Sequence, residues 1–160
     1  MEQSPTPIKR SNELAPLSRQ HHEGLLFAWK LRQGVAHNIE GSRIAAFVHW
    51  FWPLHLVPHF KKEEEILTPV LQSTSPLIQQ MFAEHDTIRG MIEAVNNDTS
   101  YAQYSLIADN ITNHIRFEER TLFNEVEKYA TPEQMQLIDA NLQDEKIDAV
   151  WEDEFWVKGK

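Results

Sequence analysis

Two histidines in this chain are each followed by a glutamate four residues later, and residues of these types at this spacing can bind a metal ion. The pairs are His59 with Glu63, within HFKKEEEILTP, and His114 with Glu118, within HIRFEERTLF. Residues four apart on an α-helix lie one turn above each other, so an imidazole and a carboxylate can converge on one point. No other histidine among the eight has a glutamate at this spacing. The two matching pairs therefore indicate two halves of one metal site.

Two further histidines lie on the apolar faces of other predicted helices. His21 continues a stripe that includes Leu25 and Ala28, and His85 lies on the same side of its helix as Phe82. Four imidazoles and two carboxylates suit two iron ions, each held by two histidines and bridged by both glutamates. Manganese and zinc are weaker alternatives. Calcium and magnesium are disfavoured because they prefer shells made of oxygen alone.

Apolar residues at spacings of three and four predict four long helices, at residues 14–34, 42–71, 77–95 and 100–129. A shorter fifth helix is predicted from residue 131 to about residue 150. We expect an all-α fold, an antiparallel four-helix bundle with the short C-terminal helix on its outside. Residues 1–12 are predicted to form a flexible tail. Residues 13–160 are predicted to form one domain, with the helical extension beginning at about residue 131.

Individual residues indicate where these helices end or bend. Pro53 and Pro58 lie inside the second helix and predict a kink or a break into two segments. Gly34 fits the C-cap of the first helix. Ser75 fits an N-cap, with Pro76 at the first helical position.

The C-terminal part of the chain has its own signals. Thr131 and Gln134 have the spacing of a capping box and predict a helix start. Trp151, Phe155 and Trp156 are spaced so that they can pack on one face against the bundle.

Composition narrows the class of protein. The 160 residues suffice for one domain with a buried core. A net charge of −9 argues against nucleic acid as a main partner, and no apolar run is long enough to cross a membrane. The chain has no cysteine, which excludes disulfides and thiolate ligands, and its N-terminal residues lack the apolar core of a signal peptide. We therefore expect a cytoplasmic protein.

The order of the histidines and glutamates resembles that of the hemerythrin HHE cation-binding family. In that family a histidine, an HxxxE pair, a second single histidine and a second HxxxE pair come from four successive helices. The resemblance covers roughly residues 12–130 and includes HFKKEEEILTP, EHDTIRGMI and HIRFEERTLF, with LSRQHHEGLLFAWKLRQG similar to a first helix of the family. It implies two non-haem iron ions and six ligands, which are His21, His59, Glu63, His85, His114 and Glu118.

The resemblance leaves two positions open. The ligand from the first helix is His21 or His22. His21 continues the apolar stripe and is preferred, whereas His22 lies beside Leu26 and could serve if the helix is rotated. His55, one turn before His59, is a further candidate as a ligand, as an outer hydrogen-bond partner or as a structural residue.

The chain departs from the oxygen-carrying hemerythrins on its third helix. Those proteins have two histidines four residues apart there. Here Met81 stands four residues before His85, and Arg89 four residues after it. The missing ligand counts against reversible oxygen carriage more than against metal binding.

Simpler interpretations apply to several other polar residues. His37 is expected in a loop, and His49 is expected to be structural. Glu64, Glu65 and Glu119 are expected to lie on solvated faces of their helices.

Three functions fit these observations. The first is a di-iron protein that binds O₂, NO or iron itself for sensing, storage or stress protection. The second is a di-iron enzyme that acts as a peroxidase, an oxidase or an NO reductase at an open coordination position. The third is a metal-free interaction module, whose protein partner the sequence does not identify. Ferritin-like bundles are disfavoured because they use E-x-x-H, a spacing absent from this chain.

Overall fold

The structure, a computed structural model, describes residues 9–142 and 147–159. Within these ranges the chain is all-α, as predicted, and contains no strand. The α-helices are α1 (Ala15–Ala36), α2 (Gly41–Phe51), α3 (Val57–Leu71), α4 (Pro76–Glu93), α5 (Tyr101–Phe117), α6 (Phe123–Tyr129) and α7 (Pro132–Asn141). Among the residues described, no helix combines the length and the apolar character needed to span a bilayer.

Two π-helical turns connect four of these helices end to end. The first, Trp52–Leu56, joins α2 to α3, and the second, Glu118–Leu122, joins α5 to α6. In each turn a backbone hydrogen bond spans five residues, from the N–H of Val57 to the carbonyl of Trp52 and from the N–H of Phe123 to the carbonyl of Glu118. The first turn contains one of the prolines that predicted a break in the second helix. No proline marks the second turn.

Gly34 lies inside α1 and does not cap it, so the predicted C-cap was wrong. The helix continues to Ala36, and Asn38 beyond it adopts a left-handed φ of 52°. A Cβ atom on Gly34 would lie 2.9 Å from Cδ1 of Ile44 and 3.1 Å from Cε1 of Phe155. Glycine is therefore needed here because other segments pack closely against α1.

The C-terminal helix is shorter than predicted. It begins with the predicted capping box, in which Gln134 N–H donates to the Thr131 hydroxyl and Thr131 N–H donates to the Gln134 side chain. It ends at Asn141 and does not reach residue 150, because residues 147–150 are exposed and not helical. A short helix depends on a buried face for its stability, and these residues have none. Residues 143–146 lie outside the described part of the chain.

The terminal aromatic residues pack against the helices, as predicted. Phe155 is fully buried, with its ring centroid 5.5 Å from that of Phe47 in an edge-on arrangement. The rings of Trp151 and Trp156 lie 6.1 Å and 5.3 Å from the same ring. This segment therefore adds to the core without being helical.

Buried apolar residues form two clusters. The first apolar cluster joins α1, α2, the first π turn, the start of α3, α4, α5 and the C-terminal segment, and it includes Phe27, Leu31, Phe47, Phe60, Ile88, Ile111 and Phe155. The second apolar cluster joins the start of α1, the end of α3, the start of α4, the second π turn, α6 and α7, and it includes Leu14, Leu17, Leu67, Met81, Leu122 and Phe123.

Successive long helices reach the two clusters in opposite orders along the chain. Helix α1 contributes to the second cluster first, through Leu17, and then to the first, through Leu31. Helix α3 follows the reverse order, from Phe60 to Leu67. Helix α4 repeats the order of α1, and α5 with its π turn repeats that of α3. On all four helices the predicted ligands fall between the two clusters.

The described N-terminal residues contact the second π turn and α6. Arg10 donates hydrogen bonds to the carboxylate of Glu127 at 2.7 Å and to the carbonyl oxygen of Glu119 at 2.6 Å. The N–H of Ser11 donates to the Glu127 carboxylate at 2.6 Å. Two residues of the predicted tail are therefore held against the helices, and residues 1–8 lie outside the described part.

Candidate metal centre

The six predicted ligands are all buried and lie in one cluster between the two apolar clusters. They are His21, His59, Glu63, His85, His114 and Glu118, with at most 6% of any residue exposed. Apart from Tyr104, they are the only polar residues that are buried in the described ranges. Charged or polar side chains are rarely buried without a partner, so such a concentration points to a functional site.

Helix α1 directs His21 into the cluster and His22 into solvent. The buried face of α1 includes Gly24 and Phe27, whereas Leu25 is 40% exposed. The predicted stripe is therefore wrong at Leu25 alone, since His21 and its other predicted members are buried. His22 is exposed, and the structure does not bring it to the other candidates.

Helix α3 places His59 and Glu63 on one buried face, with 3.2 Å between His59 Nε2 and a carboxylate oxygen of Glu63. His55 lies one turn earlier but does not join them. Its ring stacks on Phe51 at 4.5 Å and meets Trp50 edge-on at 5.7 Å. Burial lowers the pKa of His55. Of the three roles considered for His55, its contacts support the structural one.

Helices α4 and α5 provide the remaining side chains. His114 lies on α5, and its Nε2 is 3.0 Å from Oε1 of Glu118, the first residue of the second π turn. His85 lies on the buried face of α4. Met81, one turn earlier, is packed in the second apolar cluster. Phe82 is 36% exposed and lies away from the inward face that carries His85, so its predicted position was wrong.

Glu63 lies against three of the four histidines. Its carboxylate oxygens are 3.1 Å from Nε2 of His85, 3.2 Å from Nε2 of His59 and 3.5 Å from Nε2 of His21. A carboxylate in this position touches histidines from three different helices.

Glu118 has the same kind of position. Its oxygens lie 2.9 Å from Nε2 of His21, 3.0 Å from Nε2 of His114 and 3.7 Å from Nε2 of His85. Glu63 therefore faces histidines of α1, α3 and α4, and Glu118 faces histidines of α1, α4 and α5, which is the placement that a bridging carboxylate needs.

The ligand atoms fall into two groups that share both glutamates. We call the first the α1–α3 half, which contains His21 and His59, and the second the α4–α5 half, which contains His85 and His114. In each group the two imidazole nitrogens and the two carboxylate oxygens all lie within 4.8 Å of one another. Each group could hold one metal ion.

Three of the histidines donate a hydrogen bond from Nδ1 to a side chain outside the cluster. These bonds run from His59 to the Gln20 amide oxygen at 2.7 Å, from His85 to Glu64 at 2.8 Å and from His114 to Glu84 at 2.8 Å. The arrangement leaves Nε2 facing the shared glutamates. Metal-bound histidines usually have such a partner, which fixes the ring orientation and strengthens the other nitrogen as a donor.

His21 differs from the other three. Its Nδ1 lies 3.7 Å from a carboxylate oxygen of Glu119, which is too long for a hydrogen bond. That oxygen accepts a hydrogen bond from Ser18 at 2.9 Å and lies 3.6 Å from Arg10. The ring of His21 stacks on Phe123, with centroids 5.2 Å apart and planes inclined by 9°.

The outer partners were not predicted from the sequence. Glu64 and Glu119 were expected to be solvated, and this was wrong for both, whereas Glu65 is exposed as expected. Gln20 and Glu84 were missed. The sequence did carry a signal for these residues. Glu64 and Glu119 directly follow the glutamates of the two HxxxE pairs, and Gln20 and Glu84 directly precede the two single histidines.

Opposite charges outweigh the effect of burial on the ionisation of the cluster. Burial lowers the pKa of His114, but the carboxylates of Glu118 and Glu84 raise it to about 9. Burial likewise opposes the charge of His85, and Glu118 and Glu63 raise its pKa to about 11. Burial and the neighbouring Glu63 raise the pKa of Glu118, whereas His114 holds it down to about 2. Burial also raises the pKa of Glu63, but the neighbouring His59 and His21 hold it well below its usual range. Both carboxylates therefore favour the anionic form, and protons on His85 and His114 compensate them.

The residues present fit transition-metal ions. Nε2 of His59, Nε2 of His114, Oε2 of Glu63 and Oε2 of Glu118 are buried and have no hydrogen-bond partner. Buried polar atoms without a partner are costly and call for an explanation. Imidazole nitrogens and carboxylate oxygens together suit iron, manganese and zinc, and bound metal would replace the histidine protons.

A small cavity borders the cluster. Its volume is about 10 Å³, roughly the space that one water-sized molecule needs. His21, His59 and His114 line it together with Gly24 and several apolar side chains. A Cβ atom on Gly24 would lie 3.0 Å from Cδ1 of Ile115, so a larger residue would crowd this wall of the cavity.

The remaining histidines lie away from the cluster. His37 is exposed at the C-terminal end of α1. Nε2 of His49 donates a hydrogen bond to the carbonyl oxygen of Val95 at 2.8 Å. This contact ties α2 to the end of α4 and agrees with the structural role expected for His49.

Comparison with known proteins gave one match. The model of the hemerythrin HHE cation binding domain matches residues 13–126, which include all six buried candidates. Searches of curated proteins and of solved structures gave no match.

Proposed function

Since this chain belongs to the hemerythrin HHE cation-binding family, we propose that it is a cytoplasmic non-haem di-iron protein that binds a small ligand such as O₂ or NO. Sensing, iron storage and protection against stress are the roles that such a site can serve. The observation that carries the proposal is that two buried glutamates each face histidines of both halves.

The donor set supports two ions. One ion would be held by His21 and His59 and the other by His85 and His114, with both glutamates shared between them. Two dications carry more positive charge than the two buried carboxylates offset, which leaves room for an additional anionic or reducible ligand. Iron suits a site that combines imidazole with few carboxylates, and it supplies reversible redox chemistry when bound.

The surroundings support a small, weakly polar ligand. The cavity accommodates about one water-sized molecule. Besides the cluster histidines and Gln20 it is lined by apolar residues that include Leu56, Phe60 and Ile111. A diatomic molecule fits this space, whereas an organic substrate does not. His21 and His59 would face a ligand bound in this cavity, and the apolar side chains around it would exclude water.

We also propose that the helices form an antiparallel four-helix bundle. The alternating order in which α1, α3, α4 and α5 meet the two apolar clusters supports this arrangement. In such a bundle each helix provides its ligands at the same level. The six side chains would then converge in the middle of the core.

Metal content tests the proposal directly. Protein expressed in iron-replete medium should contain two iron ions per chain by mass spectrometry. The oxidised form should show an oxo-to-iron charge-transfer band. Protein that emerges free of iron and does not take up ferrous ion under anaerobic conditions would refute the di-iron function.

An enzymatic function is the second candidate. Met81 is packed in the second apolar cluster, so α4 provides one ligand and a coordination position is left for a substrate. A di-iron peroxidase or NO reductase would use that position. Multiple turnover of peroxide or NO by the reduced, iron-loaded protein would favour the enzyme. Stoichiometric binding without turnover would favour the carrier or sensor.

A further inference from the structure

The two halves of the cluster have different surroundings. In the α4–α5 half, Nδ1 of His85 and Nδ1 of His114 both donate to carboxylates, at 2.8 Å each. In the α1–α3 half, Nδ1 of His59 donates to the neutral amide of Gln20, and Nδ1 of His21 has no hydrogen-bond partner.

Glu119, the carboxylate nearest to Nδ1 of His21, is engaged elsewhere. It accepts a hydrogen bond from Ser18 and lies 3.6 Å from the guanidinium of Arg10, whose side chain is only 9% exposed. Arg10 lies between Glu119 and Glu127, whose carboxylate it contacts at 2.7 Å, so its positive charge is shared between the two. No carboxylate accepts a hydrogen bond from Nδ1 of His21 or His59 in the α1–α3 half, whereas two carboxylates accept such bonds in the α4–α5 half.

The difference arises at positions that otherwise correspond. Gln20 and Glu84 each directly precede the single histidine of their helix, and each accepts a hydrogen bond from the histidine of an HxxxE pair. Glu64 and Glu119 each directly follow the glutamate of a pair. The two halves thus repeat one arrangement of outer residues and differ at two points. In the α1–α3 half an amide, Gln20, stands in place of a carboxylate, and Glu119 bonds to Ser18 and not to His21.

These two differences change how strongly the histidines bind a metal ion through Nε2. A carboxylate that accepts the Nδ1 proton makes the imidazole a stronger donor through Nε2 and adds negative charge near the cation. An amide oxygen does so more weakly because it is neutral. Altering such an outer partner typically changes metal affinity by about 10-fold to 100-fold.

We propose that the α4–α5 half binds its metal ion more tightly than the α1–α3 half, and that Gln20 is the main residue that sets the difference. This inference rests on the proposed di-metal function. It makes the ion held by His21 and His59 the exchangeable one. Both of these histidines border the cavity, whereas only His114 of the α4–α5 half does so.

Variants with one intact half test the proposal without repulsion between two ions. His59→Ala disables the α1–α3 half, and His114→Ala disables the α4–α5 half. Binding of ferrous ion alone is measured anaerobically by titration calorimetry, with circular dichroism as the check on folding. We expect the His59→Ala protein to bind one ion at least about tenfold more tightly than the His114→Ala protein.

Exchange of the outer partners tests the role of Gln20. In the His114→Ala background, Gln20→Glu should tighten binding by about 10-fold to 100-fold, and in the His59→Ala background, Glu84→Gln should weaken it by a similar factor. Gln79→Glu and Glu93→Gln make the same changes at exposed positions of α4 and should leave both affinities within about twofold.

The intact chain provides the test if an alanine variant fails to fold. Gln20→Glu alone should then reduce the ratio between the two stepwise dissociation constants for ferrous ion. Equal affinities of the one-half variants, a tighter α1–α3 half, or an unchanged ratio in the Gln20→Glu protein would overturn the inference while leaving the di-metal function standing. Absence of any ferrous binding by the parent protein would overturn both.

Discussion

Glu64 accepts a hydrogen bond from Nδ1 of His85 across the contact between α3 and α4, with 2.8 Å between the two atoms. The glutamate directly follows Glu63, which faces Nε2 of the same histidine at 3.1 Å. Two consecutive residues of α3 thus hold both nitrogens of one imidazole. The ring of His85 is also stacked on Phe60, with centroids 3.9 Å apart, so its orientation is fixed before any metal arrives.

The first prediction concerns this outer contact. Glu64→Gln keeps the size of the side chain but removes its charge, and it should weaken metal binding by about 10-fold to 100-fold. Glu65→Gln is the matched control, because Glu65 is the next residue and is exposed. Ferrous titration of the two variants checks the prediction, and equal affinities would contradict it.

The second prediction concerns the shared carboxylates. Glu63→Ala or Glu118→Ala removes a ligand that faces both halves, so both ions should be lost together and not one at a time. Loss of a buried anion also leaves the cations undercompensated. Metal content and the absorption spectrum are the measurements. His37→Ala, at the exposed end of α1, is the control and should retain the metal content of the parent. Retention of two ions per chain by both glutamate variants would show that neither carboxylate is a bridge.

The third prediction tests the close packing at Gly34. Gly34→Ala places a methyl group 2.9 Å from Ile44, and overpacking of this kind should lower the free energy of unfolding by about 1–3 kcal/mol. Gly90→Ala is the control within α4, where a Cβ atom meets nothing within 4 Å. That change should raise stability by about 0.5–1 kcal/mol because alanine favours the helix. Urea unfolding measures the change in the free energy of unfolding for both variants. Changes of the same sign would refute the packing argument.

The fourth prediction is the pH dependence of the metal-free protein. The pKa of His114 is raised to about 9 in the folded state, so its contribution to stability is complete below about pH 6.5 and disappears as the pH rises through 9. The pKa of Glu118 is lowered to about 2, so its contribution is present above about pH 4.5 and disappears as the pH falls toward 2. Protein stripped of metal should therefore melt at a lower temperature at pH 9 than at pH 6.

Bound metal should oppose the loss of thermal stability at alkaline pH. Bound metal requires the histidines to lose their Nε2 protons, so affinity should increase between pH 6 and pH 9. Thermal melts of the metal-free and metal-loaded proteins across this range provide the measurement. A metal-free protein that gains stability between pH 6 and pH 9 would contradict the assigned protonation of the cluster.

The residues at the centre of the site could be predicted from the sequence because their chemistry is rare and their spacing is regular. A histidine four residues before a glutamate places both side chains on one helical face whatever the neighbouring helices do. The choice of His21 over His22 also followed from local periodicity. The neighbouring Leu25 was nevertheless placed on the wrong side, since Gly24 and Phe27 form the buried face.

The contacts between helices could not be predicted in the same way. Whether Glu64 faces solvent or His85 depends on how α4 lies against α3, and periodicity within α3 does not determine this. Gly34 was misread as a helix end for the same reason, because the atoms that require a glycine belong to Ile44 and Phe155. A residue whose role is defined by a distant partner carries no local signal of it.

The second π turn lets its helix hold one residue more than an uninterrupted α-helix would. Glu118 begins the turn, and Phe123 ends it with a hydrogen bond one residue longer than that of an α-helix. Deletion of one residue within the turn would convert this bond to an α-helical one and leave Phe123 and Val126 facing the second apolar cluster. Deletion of one residue from the regular part of α5 would instead rotate everything that follows by about 100°. Evolution can therefore change the length of this helix more freely at the π turn than elsewhere along it.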